Sequence, residues 1–519
     1  MRIFSRTVAT LAAAALCTGI VAPAQAAESA GPKNIIVMIG DGMGYGHIAY
    51  NNLYETGQSK YLVDGEFSAE GPKELEGESV QRYEDFNRLS QTTFSQGGSY
   101  HPEQAWATHD YVAEGVITDS AAAGTAMATG IKVKNGVLGM SNYGMAEENI
   151  SERAIKQGKS AGVVSSVPFS HATPAAYAAH NKDRNAYGEI AHDMLNSDLS
   201  VVMGAGHPLY DDSNQLLATP SYDYITEEDF GALSGGKTDW KFVETNEGFD
   251  KLAAGEVEEG AKYWGTPQVA STLQQGRAGE GETPYSDPQN DVVDLPTMTK
   301  GALNVLGQDE DGFSIMIEGG AIDWTGHAND SAREIEEVQD FNKSVDAAID
   351  WVEENSNWEE TLLIVTADHE TGYLSGADEK EKWNAMAGDK DALPSHEWYS
   401  KEHTNQVVPF FFKGAGSEDI KAAVKGTDPV RGDFIDNTDI AKLVFNNWWT
   451  EDDSKQDDDK QEDDKQDEQP KQDGSSKDSV GAGLAGAGIM AAILAAVAAA
   501  LQAIGMLKID MSAIQKLLK

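Results

Sequence analysis

The sequence predicts an α/β fold with a largely parallel central sheet and helices on both of its faces. Three observations point there. Four short apolar runs are rich in β-branched residues, helix-like stretches separate them, and each run ends in side chains able to act as ligands. Strands apolar along their whole length are buried on both faces, as in a parallel sheet covered by helices. In such sheets ligands bind beyond the carboxyl ends of the strands, so the four polar endings belong on one side of the molecule.

The first run, Asn34 to Ile39, leads into Gly40-Asp41-Gly42. The second, Gly162 to Val167, leads through Pro168 into His171-Ala172-Thr173. The third, Phe313 to Ile317, leads into Glu318-Gly319-Gly320, and the fourth, Leu362 to Thr366, into Ala367-Asp368-His369. Residues 213–295 show few periodic signals and read as loops and surface helices.

Each ending alone has a plainer reading. Asp41 between glycines can shape a turn, Asp368-His369 can be a polar pair at a strand end, and His403 can belong to a solvated loop. Asp323 and His327 are sharper, because at i and i+4 they share a helix face and can bind one metal. Jointly, Asp41, Glu318, Asp323, His327, Asp368, His369 and His403 offer three imidazoles and four carboxylates. That exceeds the roughly four ligands of one zinc ion. It suits a pair of ions that clamp the attacking and leaving oxygens of a phosphoryl transfer. Oxygen donors such as Asp41, Glu318 and Thr173 suit a harder ion such as Mg²⁺. The candidate nucleophile is Ser120 in Thr118-Asp119-Ser120-Ala121. Thr118 or Asp119 can cap the helix that the alanines begin, which places Ser120 where free N–H groups favour an anion. An ordinary helix start is the plainer reading there.

The chain has 519 residues, with 85 acidic and 39 basic side chains and a formal net charge of −46. That excludes a nucleic-acid binder working by phosphate neutralisation. Hydrophobic residues make up 40% of the chain, enough for a large core, so the charge does not mean disorder throughout. The single cysteine, Cys17, excludes a disulfide framework and a cysteine-rich zinc site, leaving His and carboxylates to hold any metal. Arg2 and Arg6 precede an apolar run that ends before Ala24-Gln25-Ala26, which reads as an export signal over 1–26. A globular domain follows at 27–450, then a solvated Asp/Gln/Lys stalk at 451–479. The uncharged Ala/Gly-rich segment 480–507 is long enough to cross a bilayer, and the tail 508–519 adds lysines that suit a cytoplasmic end. An Ala-rich helix packed on protein is the other reading of that segment. The expected location is therefore the cell surface, with the globular domain outside.

The endings form recognisable motifs: Ile39-Gly40-Asp41-Gly42-Met43-Gly44, Thr118-Asp119-Ser120-Ala121-Ala122, and His171-Ala172-Thr173-Pro174-Ala175-Ala176 with Arg184. Further on stand Glu318-Gly319-Gly320-Ala321-Ile322-Asp323-Trp324-Thr325-Gly326-His327, Thr366-Ala367-Asp368-His369-Glu370 and His403-Thr404. In this order they resemble the alkaline phosphatase family. The resemblance implies an alkaline-phosphatase-like fold, two zinc ions and one magnesium ion. Asp323, His327 and His403 would bind the first zinc, and Asp41, Asp368 and His369 the second, beside Ser120. Asp41, Thr173 and Glu318 would bind magnesium. Ser120 would become phosphoserine and Arg184 would hold phosphate. His171 and Trp324 stand where other members have Asp and Lys, which bears on magnesium affinity, phosphate release and rate. The short stretch from Gly372 to His403 implies a small inserted accessory region. The implied activity is hydrolysis of phosphate monoesters outside the cytoplasm, and the family also implies a homodimer. A related sulfatase is excluded, because Ser120 is followed by three alanines and Cys17 lies in the signal. A related phosphodiesterase and a catalytically inactive acidic surface-binding protein are the alternatives. His47, His101, His109, His180, His192, His207 and His396 carry no motif and read as surface or structural residues.

Overall fold

The computed structural model describes residues 31–279 and 281–451. Eleven strands make its main sheet. In chain order they are β1 (Asn34–Gly40), β2 (Asn87–Thr92), β3 (Ser160–Pro168), β4 (Val201–Ala205), β5 (Trp240–Val243), β6 (Lys262–Gly265), β7 (Phe313–Gly319), β8 (Thr361–Thr366), β9 (Val408–Gly414), β10 (Gly426–Asp428) and β11 (Gly432–Asp436). Across the sheet they run β10-β11-β2-β9-β8-β1-β7-β3-β4-β6-β5.

The four predicted runs are β1, β3, β7 and β8. They lie side by side and parallel, with β1 between β8 and β7, and β3 beyond β7. Ile39 pairs with Thr366 on one side and Glu318 on the other, so the strand ends are level and the residues after them converge. The sheet is largely parallel rather than wholly so, because β9 runs antiparallel to both β8 and β2.

Helices cover both faces. Those used below are α1 (Tyr45–Thr56), α2 (Ser120–Thr129), α3 (Ala172–Ala176), α4 (Tyr187–Leu195), α5 (Leu295–Leu306), α6 (Ala321–Ala328) and α7 (Ser331–Asn355). Alternation along β1 divides the core in two. Ile35, Val37 and Ile39 join the apolar residues of α2, α3 and α4, while Ile36 and Met38 join those of α1, α5 and α7. In α7 the buried residues Val338, Phe341, Val345, Ala348 and Val352 recur at helical spacing, which makes one stripe against the sheet, while Ile335 packs with Tyr50 and Leu53 of α1. Gly124 in α2 lets the helix approach α3 closely, since a Cβ there would lie 3.0 Å from the Ala176 Cβ.

Residues 213–295 differ from expectation. They contain surface helices, but also β5 and β6, which pair in parallel with each other and extend the sheet beyond β4. These strands are four residues long, and β5 is an edge strand that exposes Lys241, so neither shows a continuous apolar run. The insert after Gly372 is small, as expected: Leu374–Ser375 pairs with Glu397–Trp398, and Lys382–Trp383 with the strand Val63–Glu66. The expected signal at 1–26 and the segments 480–507 and 508–519 lie outside the described residues, as does the stalk beyond Glu451. Among the described residues, no helix is long and apolar enough to cross a membrane.

Candidate metal and phosphate site

The level ends of β1, β3, β7 and β8 bring the predicted donors together. After β1 the chain must turn sharply at Gly42, whose φ is +75°. A Cβ there would lie 2.7 Å from the Thr371 hydroxyl, so the turn requires glycine. The Gly42 N–H donates to Asp368 Oδ1 at 3.2 Å, tying the end of β1 to that of β8. Helix α6 begins just after β7 and carries Asp323 and His327 one turn apart. His403 arrives on a short ladder in which it pairs with Thr371.

One group of donors closes on a single point. His403 Nε2 lies 3.1 Å from His327 Nε2 and 3.3 Å from Asp323 Oδ1, and His327 Nε2 is 3.4 Å from Asp323 Oδ1. Ligands about 2.0 Å from a tetrahedral zinc ion stand about 3.3 Å apart. The spacing therefore matches. A second group surrounds His369 Nε2, with Asp368 Oδ2 at 3.2 Å, Ser120 Oγ at 3.2 Å and Asp41 Oδ1 at 3.5 Å. The other Asp41 oxygen, Oδ2, accepts from the Thr173 hydroxyl at 3.3 Å. Glu318, at the end of β7, accepts from Ser165.

The outer ring nitrogens decide which atom faces the centre. His403 Nδ1 meets the Thr118 carbonyl at 2.9 Å, and His327 Nδ1 meets the Lys401 carbonyl. A carbonyl only accepts, so each Nδ1 carries the proton and each Nε2 offers a lone pair. Thr371 donates to Asp323, which leaves its oxygen to accept from His369 Nδ1 at 3.2 Å. Two lone-pair nitrogens 3.1 Å apart repel unless a cation lies between them. The carboxylates make the same demand: Asp41 Oδ1, Glu318 Oε1 and Asp368 Oδ2 are buried with no hydrogen-bond partner among the described residues. Burying charged groups unpaired is costly, and a metal relieves the cost. The residues present fit the implied ions.

The titration behaviour expresses the same frustration. Burial, then the neighbouring Asp368, Asp323 and Glu318, pushes Asp41 well above the usual carboxylate range. Burial likewise lifts Glu318 to about 7 and Asp368 to about 6. Burial would lower His403, but the Asp323 carboxylate outweighs it and holds the imidazole up at about 9. A proton there takes the place a metal would fill.

Ser120 is the first residue of α2. Asp119 caps that helix by accepting from the Ala122 N–H at 2.9 Å with Oδ1. Its other oxygen accepts from Arg184 Nη1 at 3.0 Å. One side chain thus fixes both the start of α2, where Ser120 stands, and the arginine. Arg184 Nη2 lies 3.5 Å from His171 Nε2, and burial followed by that guanidinium lowers His171 to about 3, so it stays neutral. Trp324 packs edge-on against His171, with ring centroids 5.7 Å apart. Every predicted site residue falls in this one region. Sequence reasoning missed Thr371 and the carbonyls of Thr118 and Lys401, and assigned Asp119 only a cap. Thr371 stood close behind Asp368-His369 as a visible polar signal; the carbonyls have none. Of the other histidines, His47 and His207 are buried, and His109 pairs with Glu379 away from the site.

The chain is similar to known proteins in sequence and in fold. The alkaline phosphatase family profile matches residues 32–238 and 278–408. The chain is 32% identical over 377 residues to alkaline phosphatase 4 of Bacillus subtilis, covering 70% of this chain and 67% of that protein. It is 27% identical over 361 residues to alkaline phosphatase of Escherichia coli K12, covering 65% and 70%. The alkaline phosphatase of the Antarctic bacterium TAB5 shares the fold, with a TM-score of 0.54 at 24% identity over 80% of this chain and 97% of that one. A histidine-to-aspartate variant of the TAB5 enzyme binds Mg in its M3 site; it aligns with a TM-score of 0.55 at 23% identity over 80% and 97% of the two chains. Strands β5 and β6 fall in the stretch the family profile leaves unmatched. With its strand ends, its donors and these relatives in agreement, the chain belongs to the alkaline phosphatase family, metal-dependent phosphoric monoester hydrolases.

Proposed function

We propose that the protein hydrolyses phosphate monoesters to an alcohol and inorganic phosphate through a phosphoserine at Ser120. The observation that carries this reading is the Ser120 hydroxyl standing at ligand spacing, 3.2 Å, from His369 Nε2, inside the second donor group. Asp323, His327 and His403 would hold one zinc, Asp41, Asp368 and His369 the other, and Asp41, Thr173 and Glu318 a magnesium. When bound, the ions supply Lewis-acid stabilisation of charge on the attacking and leaving oxygens. Ser120 Oγ attacks phosphorus, a serine–phosphorus bond forms, and the bond to the ester oxygen breaks. The alcohol takes up a proton and leaves; water then cleaves the phosphoserine and returns the hydroxyl to Ser120. Arg184 holds two phosphate oxygens with its planar fork, and Asp119 keeps that fork aimed. The first-turn N–H groups of α2 add positive potential where charge spreads over the phosphoryl oxygens.

The test uses the full chain loaded with zinc and magnesium, assayed on an aryl monoester and its diester. Monoester turnover should dominate, vanish on chelation and return with the metals. Ser120→Ala should form no labelled phosphoenzyme; label persisting at another residue would overturn the assignment. Diester turnover at equal rate would point to the phosphodiesterase, and inactivity at full metal occupancy to a binding role. The same reading places the catalytic domain outside the cytoplasm, with 480–507 as its anchor. Release of the domain by cell breakage without detergent would overturn the anchor, and its recovery with the cytoplasmic contents would overturn the placement outside.

A further inference from the structure

Of the three ligands in the first donor group, Asp323 and His327 stand on α6, whereas His403 arrives on a two-residue strand at the far end of the insert. Lys401 and Glu402, just before it, are exposed. The strand makes only two pairs, Thr404 with Glu370 and His403 with Thr371. So short a ladder is marginal by itself, yet His403 Nε2 stands within 3.3 Å of both its partners. The placement needs a further support.

Glu370 supplies it. This side chain directly follows His369, is buried, and is not one of the donors, but its carboxylate reaches both ends of the insert. Oε1 accepts from the Leu374 N–H at 3.1 Å, where the insert begins. Oε2 accepts from the Thr404 hydroxyl and, at 3.3 Å, from Gln406 Nε2, where the insert ends. Residues 375–403 are thus gathered at one carboxylate. The turn that carries Asp41 makes room for it, since a Cβ on Gly44 would lie 2.4 Å from Glu370 Cγ. Backbone bonds cross the same neck: the Gly372 N–H donates to the Glu402 carbonyl, and the Ser400 N–H to the Gly372 carbonyl, both at 3.1 Å. Those bonds form whatever the side chains are. The Glu370 contacts need a forked group of this length at this position.

We propose that Glu370 is a positioning residue for His403: by clasping Leu374 to Thr404 and Gln406 it closes the insert and sets the third ligand of the first donor group against Asp323 and His327. Its effect on an ion rests on the metal placement proposed above, but the clasp itself is made of protein groups alone. Reach rather than charge is what the arrangement uses. Glu370→Ala loses both ends. Glu370→Asp keeps the charge and is one methylene too short to bridge them. Glu370→Gln keeps the reach: its amide oxygen accepts from Leu374, and its amide N–H donates to the Thr404 oxygen, which can accept as well as donate.

Two measurements on the full chain test the clasp. In metal-free protein, backbone hydrogen exchange over 371–374 and 403–406 should speed severalfold in the Ala and Asp variants and stay near the parent's in the Gln variant. Unchanged protection in Glu370→Ala overturns the clasp whether or not the protein binds zinc. In zinc titrations against a competing chelator, the Ala and Asp variants should weaken one zinc by about 10–100-fold, as the loss of a group that orients a ligand does. The other zinc should keep its parental affinity, and Glu370→Gln should recover most of the loss. Equal weakening of both ions, or a Gln variant as weak as the Ala one, overturns the proposal. The His403→Ala background identifies the site: adding Glu370→Ala there should cost nothing further, because the two changes act on one interaction. A second loss of full size would show that Glu370 acts elsewhere and overturn its role toward His403. A parent that binds no zinc overturns the metal placement instead, and the exchange measurement then decides the clasp by itself.

Discussion

Three imidazoles in the site are held to one tautomer by what their outer nitrogens touch, and two of those partners are backbone carbonyls. Thr371 is the third partner and the one that mutation can remove. Thr371→Val keeps the shape but loses the bonds to Asp323 and His369. Groups that orient metal ligands typically contribute about 10–100-fold in affinity. The variant should lose that much zinc affinity, measured by competition with a chelator, while its phosphate ester specificity stays as it was. Asp119 predicts a different signature. Asp119→Ala removes the α2 cap, worth about 1 kcal/mol, and also releases Arg184. Inorganic phosphate should then inhibit about tenfold less strongly, with only a modest fall in the melting midpoint. At this scale most ligand side chains were legible, because they stand in short motifs at or just beyond the ends of apolar runs, His403 being the exception. Their orienting partners were not, since a carbonyl belongs to every residue and only the fold decides which ones turn inward.

Among the elements, α7 combines the long buried stripe with acids on its flank. Burial pushes Glu337 up to about 8, Asp340 and Glu336 adding to the rise while Arg277 and Arg333 oppose it. Burial, with Asp294 behind it, lifts Asp340 to about 7. The folded protein thus keeps protons that an unfolded chain releases near pH 4. This contribution to stability is full at low pH and is lost as pH rises through about 8. Glu337→Gln removes the ionisable group while keeping the shape of the neutral acid. Its melting midpoint should match the parent's below about pH 4 and exceed it increasingly above that, by roughly 2–6 °C at pH 9. Long strands such as β1 and β7 could be read directly, because burial on both faces leaves an unbroken apolar run. Strands β5 and β6 could not. They are four residues long, and their membership of the sheet depends on β4 rather than on any pattern of their own.

For the whole molecule, the net charge of −46 stands against the chemistry of the site. Phosphate esters and phosphate are anions, so the long-range field opposes their approach, while on the proposed reading Arg184 and the metal ions would attract them locally. The carboxylates of the site are few beside the total of 85 acidic side chains. Salt shortens the reach of that field to about 3 Å at roughly 1 M. Raising salt from about 0.1 M to about 1 M should therefore hold or raise both kcat/KM for a monoester and the melting midpoint. A clear fall in both would show that the surface charges act through specific ion pairs instead. Charge sign and fold class are whole-chain properties and were visible at once in composition and pattern. The convergence of the four strand ends was inferable only because a parallel sheet puts all its carboxyl ends on one side.

That convergence also sets a clock on synthesis. Asp41 follows the sheet's first strand, while His403, which closes the first donor group, is made roughly 360 residues later, or about 20–70 s at ordinary translation rates. During that interval the growing chain holds Ser120, Arg184 and most of the carboxylates, yet lacks the imidazole that completes the first cage. On the proposed reading, completion of the first cage is thus a late event, and a polypeptide interrupted before residue 403 would carry Ser120 without that cage. The expectation is that turnover waits until the chain has passed residue 403.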